Sequence, residues 1–237
     1  MRTFVASAGV MLLVGTLGQA ASAQDSWDHD VTLYFLGAGM TGEVGVGGAT
    51  ANVDLTFGEI LENLDFSFMA AYRMQKSKWS LGTDVIYIGL KTTADSERTE
   101  LDVDQWLVEL NSGYAIRPFL TLLAGARYNS IKNRLFFPAT ETKLEATEDW
   151  VDPLVGARLS LKLGAKWMAH LRADIGGFGI GSDLAWQVLP LVEWNASERL
   201  SALLGYRVIA IDYANEHTGF KYDGTISGPG LGLNVLF

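Results

Sequence analysis

The sequence predicts an all-β chain, closed as an antiparallel up-and-down transmembrane β-barrel of ten strands, with eight or twelve as the alternatives. Three observations carry this reading. Apolar and polar residues alternate in runs long enough to cross a bilayer at a tilt. The connections between those runs are short and long in strict turn. The chain also ends in "GLGLNVLF", where Leu231, Leu233, Val235 and Phe237 share one face of an alternating strand. A chain terminus usually frays, so a terminal Phe on an apolar strand face needs a structural reason.

The first 23 residues are set aside before the fold is read. Arg2 supplies a positive charge, Phe4 to Leu17 is largely apolar, and Ala21-Ser22-Ala23 is a small-x-small cleavage site. This is the form of a signal peptide, leaving 24–237 as one barrel domain. The apolar stretch is shorter than the ~20 residues of a spanning helix. A net charge of −9 disfavours nucleic acid as a partner, since such proteins carry a basic face. With no cysteine, disulfide stapling, thiolate metal sites and a Cys nucleophile are all excluded.

Ten runs read as strands: 31–43, 65–75, 79–91, 103–115, 119–133, 151–164, 167–178, 184–195, 200–213 and 226–237. The connections at 76–78, 116–118, 164–166 and 195–199 are tight, whereas 44–64, 92–102, 134–150, 179–183 and 214–225 are longer or richer in Gly and polar residues. Short periplasmic turns and longer external loops alternate in this way in outer-membrane barrels. Within the strands, Val155, Ala157, Leu159 and Leu161 oppose Gly156, Arg158, Ser160 and Lys162; Trp106, Val108 and Leu110 oppose Gln105, Glu109 and Asn111. In a membrane barrel the apolar set faces lipid and the polar set lines the lumen. Trp79, Trp167 and Trp194 at the short turns, with Trp150 and Trp186 after long loops, read as two aromatic belts. Pro190 falls in mid-strand, where a bulge is expected. Thr56 with Glu59 forms a capping box before Phe57, Ile60, Leu61 and Leu64 at helical spacing. A short helix is therefore expected near 56–64, docked on the rim or plugging the lumen.

On these residues the chain resembles a small Gram-negative outer-membrane β-barrel of the OmpA/OmpW-like kind. The most specific match is the terminal strand, and the resemblance implies that Leu233, Val235 and Phe237 serve as the signal read by the barrel-assembly machinery during biogenesis. It also implies an outer-membrane location among lipid and lipopolysaccharide, and leaves oligomeric state open. Members of such families include anchors, pores and enzymes, so function must come from the site.

The inward face supplies the candidates. Gly125/Arg127, Gly156/Arg158 and Gly205/Arg207 repeat a Gly-x-Arg pattern, with Ala71/Arg73 as a variant. Residues two apart share a face, so each Arg lies beside a small neighbour that leaves room for its guanidinium or lets the strand bend at a barrel corner. Together with Arg172, these face Asp84, Glu109, Asp174 and Glu193. Such a set either selects solutes in a narrow channel or forms a register-fixing network of ion pairs. A structural role or a narrow solute channel with a charged lumen is expected. Lateral delivery of a small apolar molecule is disfavoured by so charged an interior.

The alternative class is an outer-leaflet lipid-modifying enzyme, a lipid A acyl hydrolase or transferase. Of the histidines, His29 is read as N-terminal tail and His170 as periplasmic. His217, near Glu216 and Asp223, is the one placed for outer-leaflet chemistry, without a serine motif beside it. Glu148/Asp149 and Asp95/Glu97 read as loop charges, and "GGFGIGSD" as a tight turn rather than a dinucleotide loop. No catalytic residue, cofactor or metal is expected.

Overall fold

The computed structural model describes residues 26–46, 49–94, 99–137 and 142–237. The expected signal peptide and the Asp95/Glu97 pair lie outside the described residues. The strands are β1 (Asp28–Leu36), β2 (Gly39–Val46), β3 (Ala49–Leu55), β4 (Leu64–Lys76), β5 (Trp79–Ala94), β6 (Thr99–Arg117), β7 (Leu120–Phe137), β8 (Thr142–Lys162), β9 (Trp167–Gly177), β10 (Leu184–Asn195), β11 (Leu200–Asn215) and β12 (Phe220–Leu236). One helix, α1 (Phe57–Glu62), precedes β4.

From β4 to β12 each strand pairs antiparallel with the next, and β1 pairs with both β4 and β12, which closes a ten-strand ring. The first strand does more than expected. Gly230–Leu236 of β12 hold β1, and Lys221–Ser227 of the same strand hold β2, so β1 and β2 run in series along one wall position. β3 then folds back on β2 as a hairpin. The expected loop 44–64 is therefore largely hairpin and helix.

Among the described residues β1 pairs with β4 no further than Leu33↔Ala70, and neither β2 nor β3 pairs with β4. This leaves a seam in the wall. The capping box at Thr56 and Glu59 is formed, and α1 is one residue shorter at the start and two at the end than the expected 56–64. Phe57 meets Phe35 edge-on at 6.2 Å between ring centroids and lies 3.5 Å from where a Cβ on Gly37 would sit. Since Phe35 points outward, the helix lies against the outside of the wall over the seam. It is neither a rim element nor a plug in the lumen.

The burial pattern is inverted relative to a soluble protein. Asp152 and Gln187 are wholly buried, and Glu109 and Arg127 are 2% and 3% exposed, while Leu110, Leu204 and Leu231 are 64%, 58% and 63% exposed. Large exposed apolar surface around a buried polar interior is the informative combination. No described helix is long and apolar enough to cross a membrane, so any crossing belongs to the strands. Trp79 with Tyr114, and Trp167 with Trp194, cluster outside at the short-turn end. Trp186 and the Tyr87–Trp106 pair, at 4.6 Å, lie outside nearer the other end. Trp150 is a correction: parity places it inside, 6% exposed.

The terminal aromatic has its reason. His29 N–H donates to Phe237 O at 3.2 Å, Phe237 N–H donates to His29 O at 2.9 Å, and the two rings stack. His29 is thus part of β1, not a free tail, and its Nδ1 lies 2.6 Å from the Tyr72 hydroxyl. The expected bulge at Pro190 is absent. Its register with β9 is unbroken, and pairing to β11 resumes in the same register after skipping residues 189 and 190, so the missing donor costs ladder bonds without adding a residue.

The glycines beside the arginines serve a different purpose from the one expected. A Cβ on Gly125, Gly156 or Gly205 would lie 2.1, 2.4 or 2.7 Å from a carbonyl oxygen of the adjacent strand (Leu110, Ala173 and Pro190). Close backbone approach in the coiled wall, rather than space for a guanidinium, excludes a side chain there. Gly125→Ala is expected to cost about 1–3 kcal/mol in urea unfolding of the refolded protein in lipid vesicles. Gly164→Ala, where a Cβ meets nothing within 4 Å, leaves the midpoint unchanged or slightly raised.

Candidate functional site

The lumen is built in two layers, each set by strand parity. Toward the short-turn end, every arginine and acid named from the sequence points inward. Arg127 on β7 donates through Nη2 to Glu109 Oε2 at 3.1 Å and to Asp174 Oδ1 at 2.9 Å. Arg172 on β9 donates through Nε to Asp174 Oδ2 at 2.9 Å and through Nη2 to Glu109 Oε1. Asn111 donates to Glu109, and Gln187 to Asp174, at 2.8 and 2.7 Å. Gln187 Oε1 in turn accepts from Arg207 Nε at 2.9 Å. Arg207 Nη1 meets Asp84 Oδ2 at 2.8 Å and donates to the Tyr34 hydroxyl, which donates to Asp84 Oδ1 at 2.6 Å.

The chain of bonds thus runs from β1 (Tyr34) to β5 (Asp84), across to β11 (Arg207), and on through β10 (Gln187) and β9 (Asp174, Arg172) to β7 (Arg127) and β6 (Glu109). Within this network each charge has an opposite charge and further hydrogen bonds, the condition under which burial is tolerated.

The other named residues stand apart. Arg73 Nε donates to Asp30 Oδ2 at 2.8 Å. Glu193 Oε2 lies 2.9 Å from His170 Nε2, whose Nδ1 lies 2.9 Å from Ser160 Oγ. Arg158 sits directly across the strand pair from Arg172 and has no carboxylate partner among the described residues. Asp30, Tyr34, Asn111 and Gln187 were not named as site residues from the sequence. Parity marks Asn111 and Gln187 as inward beside Glu109 and Glu193, but nothing in the order of residues gives their partners.

The outer layer was not foreseen as apolar. Leu36, Met69, Ile86, Leu107, Ile131 and Ile209 meet one another across the lumen, with Tyr213, Tyr222 and Trp150 above them. Trp150 stacks on Tyr213 at 3.9 Å with ring planes 5° apart, and its indole N–H donates to Ser182 Oγ at 2.8 Å. Ser182 belongs to the "GGFGIGSD" turn, which is tight as expected and folds over the wall: its N–H donates to the buried Asp152 Oδ1 at 2.6 Å. The arginines and acids named from the sequence thus occupy the lower layer, and above it apolar side chains surround the buried Asp152, Glu148 and Gln105.

At the long-loop end, His217 lies in the β11–β12 turn with its N–H donating to Asn215 Oδ1 at 3.0 Å. Glu148, inward on β8, accepts from Asn215 and Tyr213; Asp149, outward, accepts from the Tyr128 hydroxyl. Asp223 pairs across the strands with Asp212 rather than facing His217.

Removing one buried partner exposes the dependence of the inner layer. Arg127→Met is expected to cost about 3–5 kcal/mol in the same unfolding measurement, because Glu109 and Asp174 are left buried without it. Adding Asp174→Asn alone to that variant restores part of the loss, since Glu109 remains to pair with Arg172.

No protein-family model matches the chain, and no curated protein matches it in sequence. Solved structures do. The outer membrane protease OmpT from Escherichia coli aligns at a TM-score of 0.51 and 10% identity, over 92% of this chain and 99% of that one. Ail, the attachment invasion locus protein of Yersinia pestis, aligns at 0.44 and 10% identity, over 91% and 100%. Neisserial surface protein A aligns at 0.38 and 10%, over 89% and 97%. With its closed ring, outward apolar band and interior charges, this chain has the outer-membrane β-barrel fold that it shares with OmpT.

Proposed function

We propose that the protein is a structural barrel of the outer membrane whose lumen is closed to solutes, and that it is not an enzyme. One observation carries the closed lumen: the Glu109–Arg127–Asp174–Arg172–Arg207 network lies directly beneath an apolar layer whose residues are almost all buried. A ten-strand barrel is only modestly wider than one that side chains fill, so two such layers leave no continuous water path. The lipid-facing band fits acyl chains, and the acidic long-loop end would face lipopolysaccharide. The terminal strand would be the surface offered to the assembly machinery. Among the described residues no hydrogen bond joins the His217 ring to a serine or a carboxylate, the contacts an outer-leaflet hydrolase would use.

Single-channel recording on refolded protein is the test. A silent bilayer is expected for the full chain and also after deletion of 57–62, because α1 lies outside the wall. Stepwise conductance in either would overturn the closed lumen.

A second reading, lateral exchange of a small apolar molecule with the membrane, is favoured by the seam. Behind α1 a cavity of about 30 Å³ is lined by outward Phe35 and Phe57 and by inward Met40, Met69, Ile88 and Ile226. In a variant keeping Trp150 as its single tryptophan, a brominated alkane dissolved in the lipid quenches fluorescence if this holds. An unquenched Trp150 rules it out.

A further inference from the structure

The charge layer closes the lumen from above, but below it lies a cavity of about 210 Å³, many times the ~10–15 Å³ one water needs. Its lining includes Arg158, Arg73, His170, Leu189, Leu191 and Leu203. Side-chain exposure shows which way it opens: 37% at Arg73, 15% at His170 and 17% at Glu193, against 3% at Arg127 and 5% at Arg207. Exposure falls from the short-turn end toward the network, and Tyr34, Asp84, Arg172 and Arg207 line the inner end of the cavity together with Leu36.

Ion pairing around this cavity leaves one guanidinium without a direct partner. Arg73 has Asp30, Arg172 has Glu109 and Asp174, Arg207 has Asp84, and Glu193 has His170. Arg158 has none of them as a direct partner, and it lies across the strand pair from Arg172. A guanidinium presents a planar fork of donors suited to a carboxylate or phosphate. Two and three strands along the wall, on β10 and β11, Leu189, Leu191 and Leu203 offer an apolar surface to the same cavity.

We propose that this vestibule binds a small organic oxyanion, a carboxylate or phosphate monoester carrying a short apolar chain. The ligand enters from the periplasmic side, its anionic head on Arg158 and Arg73 and its chain against Leu189, Leu191 and Leu203. The site rests on the lumen being closed above, which makes the vestibule a pocket rather than a passage.

The test is calorimetric titration of the refolded full chain in neutral micelles with inorganic phosphate, butyl phosphate and butanol. One equivalent of butyl phosphate is expected to bind, more tightly than inorganic phosphate, with no binding of butanol. Arg158→Met weakens binding at least tenfold. Should that variant fail to fold, Leu203→Trp, which fills the apolar side, is expected to abolish butyl phosphate binding. Absence of binding by either phosphate, or affinity unchanged in both variants, overturns the site. A chain that conducts in bilayers yet binds butyl phosphate through Arg158 overturns the closed lumen and leaves the anion site standing. A silent chain that binds neither phosphate overturns the site alone.

Discussion

The structure depends on ring closure at β12. A strand in a bilayer has no water to satisfy its N–H and C=O groups, so each edge must find a partner. Along β12 every wall position is taken: β11 on one side through its length, and on the other β1 for the lower part and β2 for the upper. The apolar face of Leu231, Leu233, Val235 and Phe237 can point outward only because this closure makes the terminal strand part of the wall. The pairing of His29 with Phe237 fixes the last residue in place.

Closure is incomplete at one place, and its location is instructive. The first wall position is shared by two strands in series, bent at Gly37 and Ala38, and the upper segment turns into the β2–β3 hairpin instead of continuing beside β4. A Cβ on Gly228 would lie 2.2 Å from Gly37 O, so the bend brings the two backbones close. The short helix lies over the resulting seam and brings Phe57 onto Phe35. Local capping at Thr56 and Glu59 starts the helix; contact with the wall is what holds a segment too short to persist alone.

Inside, polarity divides by height. Arginine and acid fill the lower lumen with a connected set of ion pairs, and aliphatic and aromatic side chains fill the upper lumen. Either alone narrows the barrel. Stacked, they separate a periplasmic vestibule from the external end, and the guanidinium left unmatched in that vestibule is its chemical signature.

Much of this was legible in the sequence. Two-residue alternation determined strand number and which side chains face inward, because a strand offers only two faces and a bilayer punishes the wrong choice. That is why Arg73, Asp84, Glu109, Arg127, Arg158, Arg172, Asp174, Glu193 and Arg207 all lie within the lumen. The capping box determined where the helix starts. Tertiary structure decided the rest: that Trp150 stacks inside on Tyr213 instead of joining a belt, that Gly125 faces a neighbouring carbonyl, and that α1 seals a seam. It also decided which acid each arginine holds. Those partners sit on strands far apart in the chain, and barrel stagger, which no local pattern encodes, sets their heights against one another.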